Sequence, residues 1–303
     1  MKKFFAFFVV SLCLVLAMAS CTIGGSNTDS GSGGDITIGA KAFTEQDILG
    51  ELLAQHIEAT TNLKVNLIPR LGGTIICHTA LIQGKIDAYI EYTGTSYNAI
   101  LKEDVINDPQ EVYNKVKTVY DERFNLEVME PLGFENTYAM LIRKEDAKKY
   151  NIRTLSEASK QAPKWRAGVG YEFMERKDGY PGLAKTYDLN FKKSPRQMEK
   201  GLLFRAIKQN MVDMIAGYST DGQIARLDLV ILEDDKKYFP PYEAMPVFRK
   251  ETLKKYPQLR ESLAKLNGLI DAKEMQELNY QIDGELRKVK TVVEEFRKKK
   301  GLA

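Results

Sequence analysis

Apolar positions fall along this chain in three rhythms. Phe4 to Leu16 is almost wholly apolar, preceded by Lys2 and Lys3 and followed by Ala17, Met18, Ala19 and Ser20 before Cys21. Charged, apolar, then small is the order of a secretory signal, and the run is too short for a comfortable membrane span. Residues 1–20 are therefore expected to be a cleaved signal peptide. Gly24 to Gly34 reads GGSNTDSGSGG, which buries nothing and serves as a flexible tether. From Asp35 onward the spacing becomes periodic.

Asp35 to Gly39 alternates as a short strand. Thr44 to Thr60 has the helical period, with Ile48, Leu49, Leu52, Leu53 and Ile57 on one face. Thr44 is expected as its N-cap, with acids in the first turn. Lys64 to Ile68 predicts a second strand, Gly72 and Gly73 lead into a helix from Thr74, and Ile86 to Ile90 predicts a third strand. Further on, Ala139–Ile142, Ala167–Val169 and Met211–Ala216 read as strands and Met198–Gln209 as a helix. Asp271 and Glu274 form a capping-box pattern, with Met275, Leu278 and Ile282 on one face, and Val289, Val292, Val293 and Phe296 continue the helical theme.

Strand–helix–strand order with short links predicts parallel strands covered by helices. The layout suits an α/β chain of two lobes, with a cleft at the carboxyl ends of the strands.

Charge and cysteine content narrow the function. Loss of Lys2 and Lys3 with the signal takes the formal charge from +3 to +1, too weak a bias for a nucleic-acid partner. No later apolar run approaches the roughly eighteen residues of a membrane span. Cys13 leaves with the signal and Cys21 follows small residues in the manner of a lipid-attachment site. The segment resembles a bacterial lipoprotein lipobox, with Met18 where Leu is usual. Cys77 then stands alone in Ile75-Ile76-Cys77, which excludes an internal disulfide and fits a small buried hydrophobe.

The chemistry of an enzyme is missing. His56 and His78 are the only histidines, and neither has a ligand at metal spacing. No G-x-S-x-G, phosphate-binding loop or G-x-G-x-x-G is present, so no cofactor and no ATP binding by this chain are expected.

Tyrosine is plentiful, 15 of 303 residues, and four mark strand junctions. Tyr92 lies in EYTGT after a strand, Tyr138 opens a strand in GFENTYAM, Tyr218 follows a strand in GYSTDG, and Tyr242 precedes one in FPPYEAMPV. Any one could be a tyrosine packed at a sheet edge. Four at strand ends point to a shared aromatic site.

These segments also carry a family resemblance. IGAKAFTEQDILGELLAQHIEATTNLKV, LGGT, GKIDAYIEYTGT, GFENTYAM, ERKDGYPGLAKTYDL, MIAGYSTDGQIA and LEDDKKYFPPYEAMPV, in that order from about Ile36 past Val247, resemble the osmoprotectant-binding proteins of quaternary-amine ABC importers. The resemblance implies a two-lobed periplasmic-binding-protein-like α/β fold with two hinge crossovers (type II). One lobe would take residues 35–136 and 243–303, the other 137–242. It implies an aromatic cage of Tyr92, Tyr138, Tyr218 and Tyr242, with carboxylate contacts from Lys41, Thr95 and Arg176. Arg166 and Lys177 are alternatives to Arg176. Asn136 falls beside the cage where some relatives have a carboxylate, so a negative charge is expected to be missing there.

The residue types suit a methylated cation. A trimethylammonium group has no N–H to donate, but ring faces attract it by about 0.5–2 kcal/mol each. Four rings would matter at micromolar affinity, about 8 kcal/mol. Lys41 and Arg176 would hold a carboxylate at the other end, favouring betaines over choline. The expected protein is a monomeric, extracytoplasmic lipoprotein. It would close on glycine betaine or a related solute and deliver it to a permease. A receptor of the same fold for choline, an amino acid or another small cation is the second reading. An envelope-anchored enzyme and a purely structural lipoprotein follow.

Overall fold

The computed structural model describes residues 35–176 and 178–302. The signal peptide, Cys21, the Gly/Ser tether and Lys177 lie outside the described residues. Among those described, ten strands follow in chain order: β1 Ile36–Lys41, β2 Val65–Gly72, β3 Ala88–Tyr92, β4 Leu126–Val128, β5 Tyr138–Arg143, β6 Ala167–Val169, β7 Arg196–Gln197, β8 Met214–Tyr218, β9 Leu229–Ile231 and β10 Ala244–Arg249. They form two five-stranded sheets, ordered β2-β1-β3-β10-β4 and β7-β6-β8-β5-β9. The fold is the expected two-lobed α/β arrangement, one sheet to each lobe.

The first lobe's sheet is packed on both faces. Ile48, Leu49, Leu52, Leu53 and Ile57 of the Thr44–Thr60 helix join Met275, Leu278, Val292, Val293 and Phe296 of the C-terminal helices over one face. Cys77 and Leu81 join Val112, Val116 and Tyr120 over the other. The alternation of a strand supplies both sides: Ala88, Ile90 and Tyr92 face the first core and Tyr89 the second. The second lobe is likewise built as a sandwich, with Met140, Ile142 and Val169 on one side and Leu141, Leu203 and Ile215 on the other.

Two sequence expectations need correction. The sheets are mixed rather than parallel: β10 runs antiparallel to β3 and β4, and β5 antiparallel to β8 and β9. These are the strands reached by the two crossings between lobes. Each is entered at the carboxyl end of the parallel strands, so it must run the opposite way. The second correction concerns the Thr44–Thr60 helix, whose N-cap is Phe43, in extended conformation. Thr44 is already inside the helix, and its hydroxyl donates to Asp283 Oδ1 at 2.7 Å.

Other details follow expectation. Asp271 and Glu274 form a complete capping box. Cys77 is fully buried, and that burial pushes its thiol up to about 11. His56 Nε2 lies 2.8 Å from the Ser262 carbonyl, and His78 packs on Phe124 with centroids 4.9 Å apart. Burial lowers the pKa of both, which keeps them neutral core residues.

The crossings pair with each other. Ala244 N–H donates to the Phe134 carbonyl at 3.1 Å and Asn136 N–H to the Tyr242 carbonyl at 3.0 Å, around an antiparallel bridge between Glu135 and Glu243. This short ladder brings Asn136 and Tyr242 to one place.

Candidate ligand-binding site

Three of the four junction tyrosines meet. The antiparallel register of β5 and β8 sets Tyr138 opposite Tyr218, with ring centroids 5.0 Å apart. Tyr242, on the second crossing, stands edge-on to Tyr138 at 6.3 Å and 87°. Phe173 adds a further ring 4.6 Å from Tyr138. Tyr92 is the last residue of β3 and pairs with Ala244, two residues beyond Tyr242. Its ring stacks with Phe43 at 6.4 Å rather than with the other tyrosines. Burial pushes the phenol pKa of all four up, so the rings stay neutral.

The turn after Tyr92 is fastened to the second crossing. Thr93 N–H donates to the Glu243 carbonyl at 3.0 Å, and its hydroxyl to the Pro241 carbonyl at 3.1 Å. Gly94 lets the Tyr242 ring approach, since a Cβ there would sit 2.9 Å from it. Thr95 is half-buried, one residue further on.

The expected carboxylate-binding cations are present but already partnered. Lys41 ends β1, is buried, and forms an ion pair with Glu91. Its Nζ lies 4.5 Å from the Tyr92 ring centroid. Arg176 makes a bidentate pair with Asp178, at 2.7 Å from Nε and 2.6 Å from Nη2, and its guanidinium lies 5.5 Å from the Tyr138 centroid. Asp178 also accepts from the Tyr242 hydroxyl. Burial pushes the Asp178 carboxyl up, but the bonds and charge of Arg176 outweigh it and hold the pKa below the usual range. Arg166, the alternative to Arg176, is taken up by Asp213 at 2.9 Å and the Asn210 carbonyl.

Two charged residues beside these rings escaped the sequence reading. Lys200 lies 4.9 Å from the Tyr218 centroid and pairs with Asp221 at 2.5 Å. Glu45, read only as a first-turn acid, is 2 % exposed. It accepts from the Tyr92 hydroxyl at 2.5 Å, Asn136 Nδ2 at 2.8 Å and Asn279 Nδ2 at 3.2 Å. The sequence signal for Glu45 was its position: it follows a strand end by four residues, on the buried side of an amphipathic helix. A pocket of about 260 Å³ opens beside the Tyr138–Tyr218 pair, lined also by Tyr171, Glu172, Phe173 and Lys200. No group of three or more metal-ligating side chains occurs among the described residues.

Aromatic rings flanked by partnered charges lie together where the crossings meet the second lobe, which makes this the candidate binding site. Residues 34–299 match the family profile OpuAC, the substrate-binding domain of ABC-type glycine betaine transport systems. The chain belongs to this family. It is 42 % identical over 304 residues to the carnitine transport binding protein OpuCC of Listeria monocytogenes, covering 98 % of this chain and 97 % of the relative. It is 37 % identical over 267 residues to the Helicobacter pylori ergothioneine transport permease/ergothioneine binding protein EgtU, covering 88 % of this chain and 48 % of the relative. A solved glycine betaine/carnitine/choline ABC transporter structure superposes with a TM-score of 0.82 at 38 % identity, covering 88 % of this chain and 99 % of that one. The family consists of receptors of ABC importers, not enzymes, and works outside the cytoplasm. Among the described residues no helix is long and apolar enough to cross a membrane.

Proposed function

We propose that this receptor captures a small quaternary ammonium zwitterion of the glycine betaine or carnitine kind. In this reading Tyr92, Tyr138, Tyr218 and Tyr242 enclose the methylated cation with Asn136 beside them. Lys41, Thr95 and Arg176 hold the carboxylate. The observation that carries it is the meeting of Tyr138, Tyr218 and Tyr242 from two strands and a crossing, with Arg176 against the same rings. Neutral ring faces attract a cation that cannot hydrogen-bond, while an ordinary ammonium would leave its N–H donors unpaired.

The protein's own cations sharpen the choice of ligand. Tyr92, Tyr138 and Tyr218 each have a Lys or Arg over the ring, within 4.5–5.5 Å of its centroid. A bare cation such as choline meets that positive potential with nothing to offer in return. A betaine brings a carboxylate. The solutes for which the two relatives are named, carnitine in one and ergothioneine in the other, are both trimethylammonium carboxylates and agree with this preference.

Residues 35–136 with 243–303, and 137–242, are taken as the two lobes. Closure about the paired crossings brings the ring cluster onto the ligand. The closed monomer, tethered by lipid at Cys21, passes the solute to the permease. The Helicobacter relative, a permease and binding protein in one chain, is consistent with that partnership.

Calorimetric titration with glycine betaine, carnitine, ergothioneine and choline tests the reading. Binding of at least one betaine more tightly than choline is expected, and no binding of any at millimolar concentration would sink it. Labelling of cells with a radioactive fatty acid is expected to mark the wild type and not Cys21→Ser, and an unlabelled wild type would remove the lipid anchor from the account.

A further inference from the structure

The acids around this site share a habit that one of them breaks. Glu91 pairs with Lys41, Asp178 with Arg176, and Asp221 with Lys200. Glu45 is as deeply buried as Asp178 and more so than Asp221, yet among the described residues no Lys, Arg or His nitrogen lies within 4.0 Å of it. Its donors are all neutral: the Tyr92 hydroxyl and the side-chain amides of Asn136 and Asn279. A buried carboxyl group held by neutral donors alone has no ion-pair partner of its own, and Lys200, the cation whose charge it influences, is already held by Asp221.

The neighbours of Glu45 place this carboxyl group at the cage. Tyr92 and Asn136 are both in the proposed binding set. Asn279 also donates to the Thr220 carbonyl at 2.8 Å, in the turn that follows Tyr218. Glu45 therefore touches residues from β3, from the first crossing and from the helix braced on the second lobe. The negative charge expected to be missing at Asn136 is supplied 2.8 Å away, from a different element.

We propose that Glu45 is the counter-ion of the ligand's quaternary ammonium, and so a specificity-determining residue for charge at this site. The inference rests on the quaternary-ammonium reading above. It separates two sources of affinity that shape alone would confuse. Methyl groups fill the cage whether nitrogen or carbon lies at their centre, but only nitrogen answers Glu45.

Glycine betaine and tert-butylacetate, its uncharged-head isostere, are titrated against the wild type, E45Q and the double variant E45Q/N136D. Folding is followed by thermal melting. The wild type is expected to prefer glycine betaine by roughly tenfold or more, about 1.4 kcal/mol. E45Q should lose a measurable part of that preference, the ring faces keeping the rest, while still binding both compounds. E45Q/N136D returns the charge to the adjacent residue and should recover the preference, which a merely structural role for Glu45 would not produce. A wild-type protein that binds neither compound overturns the quaternary-ammonium reading itself. Preference in the wild type that persists unchanged in E45Q overturns the role of Glu45 alone. If E45Q does not fold, the double variant decides: loss of preference in a folded E45Q/N136D is equally fatal.

Discussion

Tyr138 and Tyr218 face each other across the antiparallel pair β5–β8, with ring centroids 5.0 Å apart and planes inclined by 33°. Both belong to one sheet, so this half of the cage is set by strand register and stands without lobe closure. The ring, rather than the hydroxyl, is what a methylated cation uses. Tyr218→Phe is therefore expected to keep glycine betaine affinity within about threefold. Tyr218→Ala should weaken it by roughly 1–2 kcal/mol, five- to thirtyfold. Calorimetry on the two variants distinguishes them, and equal losses would show that the hydroxyl matters instead.

Lys200 bears on the same ring from a different direction. Its Nζ lies 4.9 Å from the Tyr218 centroid, and Asp221 holds it there at 2.5 Å. A cation on one face of a ring makes the ring less attractive to a second cation. Lys200→Met removes that charge and keeps the length of the side chain. It is expected to raise choline affinity relative to glycine betaine by a few-fold, since choline gains nothing from a basic group. Competition binding with the two ligands reads the ratio directly, and an unchanged ratio would place Lys200 outside the site's electrostatics.

The paired crossings contain a titratable pair of like sign. Burial raises the Glu135 carboxyl above its ordinary value of 4.5, and burial with the charges of Glu135 and Glu130 does the same for Glu243. A carboxyl whose folded pKa is raised takes up its proton in the native state before the unfolded one. Its contribution to stability therefore increases as pH falls from the folded pKa to about 4.5, and is flat below that. His56 and His78 work in the opposite sense, because burial lowers their pKa and stability is lost as pH falls below about 6.5. Glu243→Gln leaves the backbone pairing in place and removes one charge. A gain of at most about 0.5 kcal/mol near neutral pH is expected, shrinking towards pH 4.5, as for other partly screened charges. Thermal melts of wild type and variant between pH 4.5 and 7.5 test it, and a variant less stable at pH 7 would contradict the sign.

What the sequence made legible was whatever depends on local period. The buried stripe Ile48, Leu49, Leu52, Leu53 and Ile57, the capping box at Asp271 and the strand-end tyrosines are all local patterns, and all lie where expected. The strands were placed, but their ends shifted: β3 runs to Tyr92 and β8 to Tyr218, two residues beyond the apolar runs, because the ladder continues into the site. The partners of the charges were not legible. Lys41 meets Glu91 fifty positions away, and Glu45 meets Asn279 across 234. Such contacts are made by topology, and no spacing rule along the chain encodes them. The antiparallel entry of β5 and β10 was hidden for the same reason, since direction is fixed by where the crossings leave the other lobe.

Gly94 offers a test of how tightly the two sides of the site are joined. It lies between Thr93, bound to the Pro241 and Glu243 carbonyls, and Thr95, and the ring of Tyr242 lies against it. A Cβ at this position would stand 2.5 Å from the Pro241 carbonyl oxygen and 2.9 Å from the Tyr242 ring. The carbonyl is backbone on a paired crossing and has little room to yield. The ring is held from its far end, because the Tyr242 hydroxyl donates to Asp178, which Arg176 grips in turn. Gly94→Ala must therefore displace the crossing, the ring or both. Overpacking of this kind costs about 1–3 kcal/mol, and a moved Tyr242 carries Asp178 and Arg176 with it. A fall in melting temperature should accompany a loss of glycine betaine affinity of tenfold or more. If affinity is retained while stability falls, Tyr242 is not held in its binding position by this contact. If both are retained, the approach of Tyr242 to Gly94 is looser in solution than the packing implies.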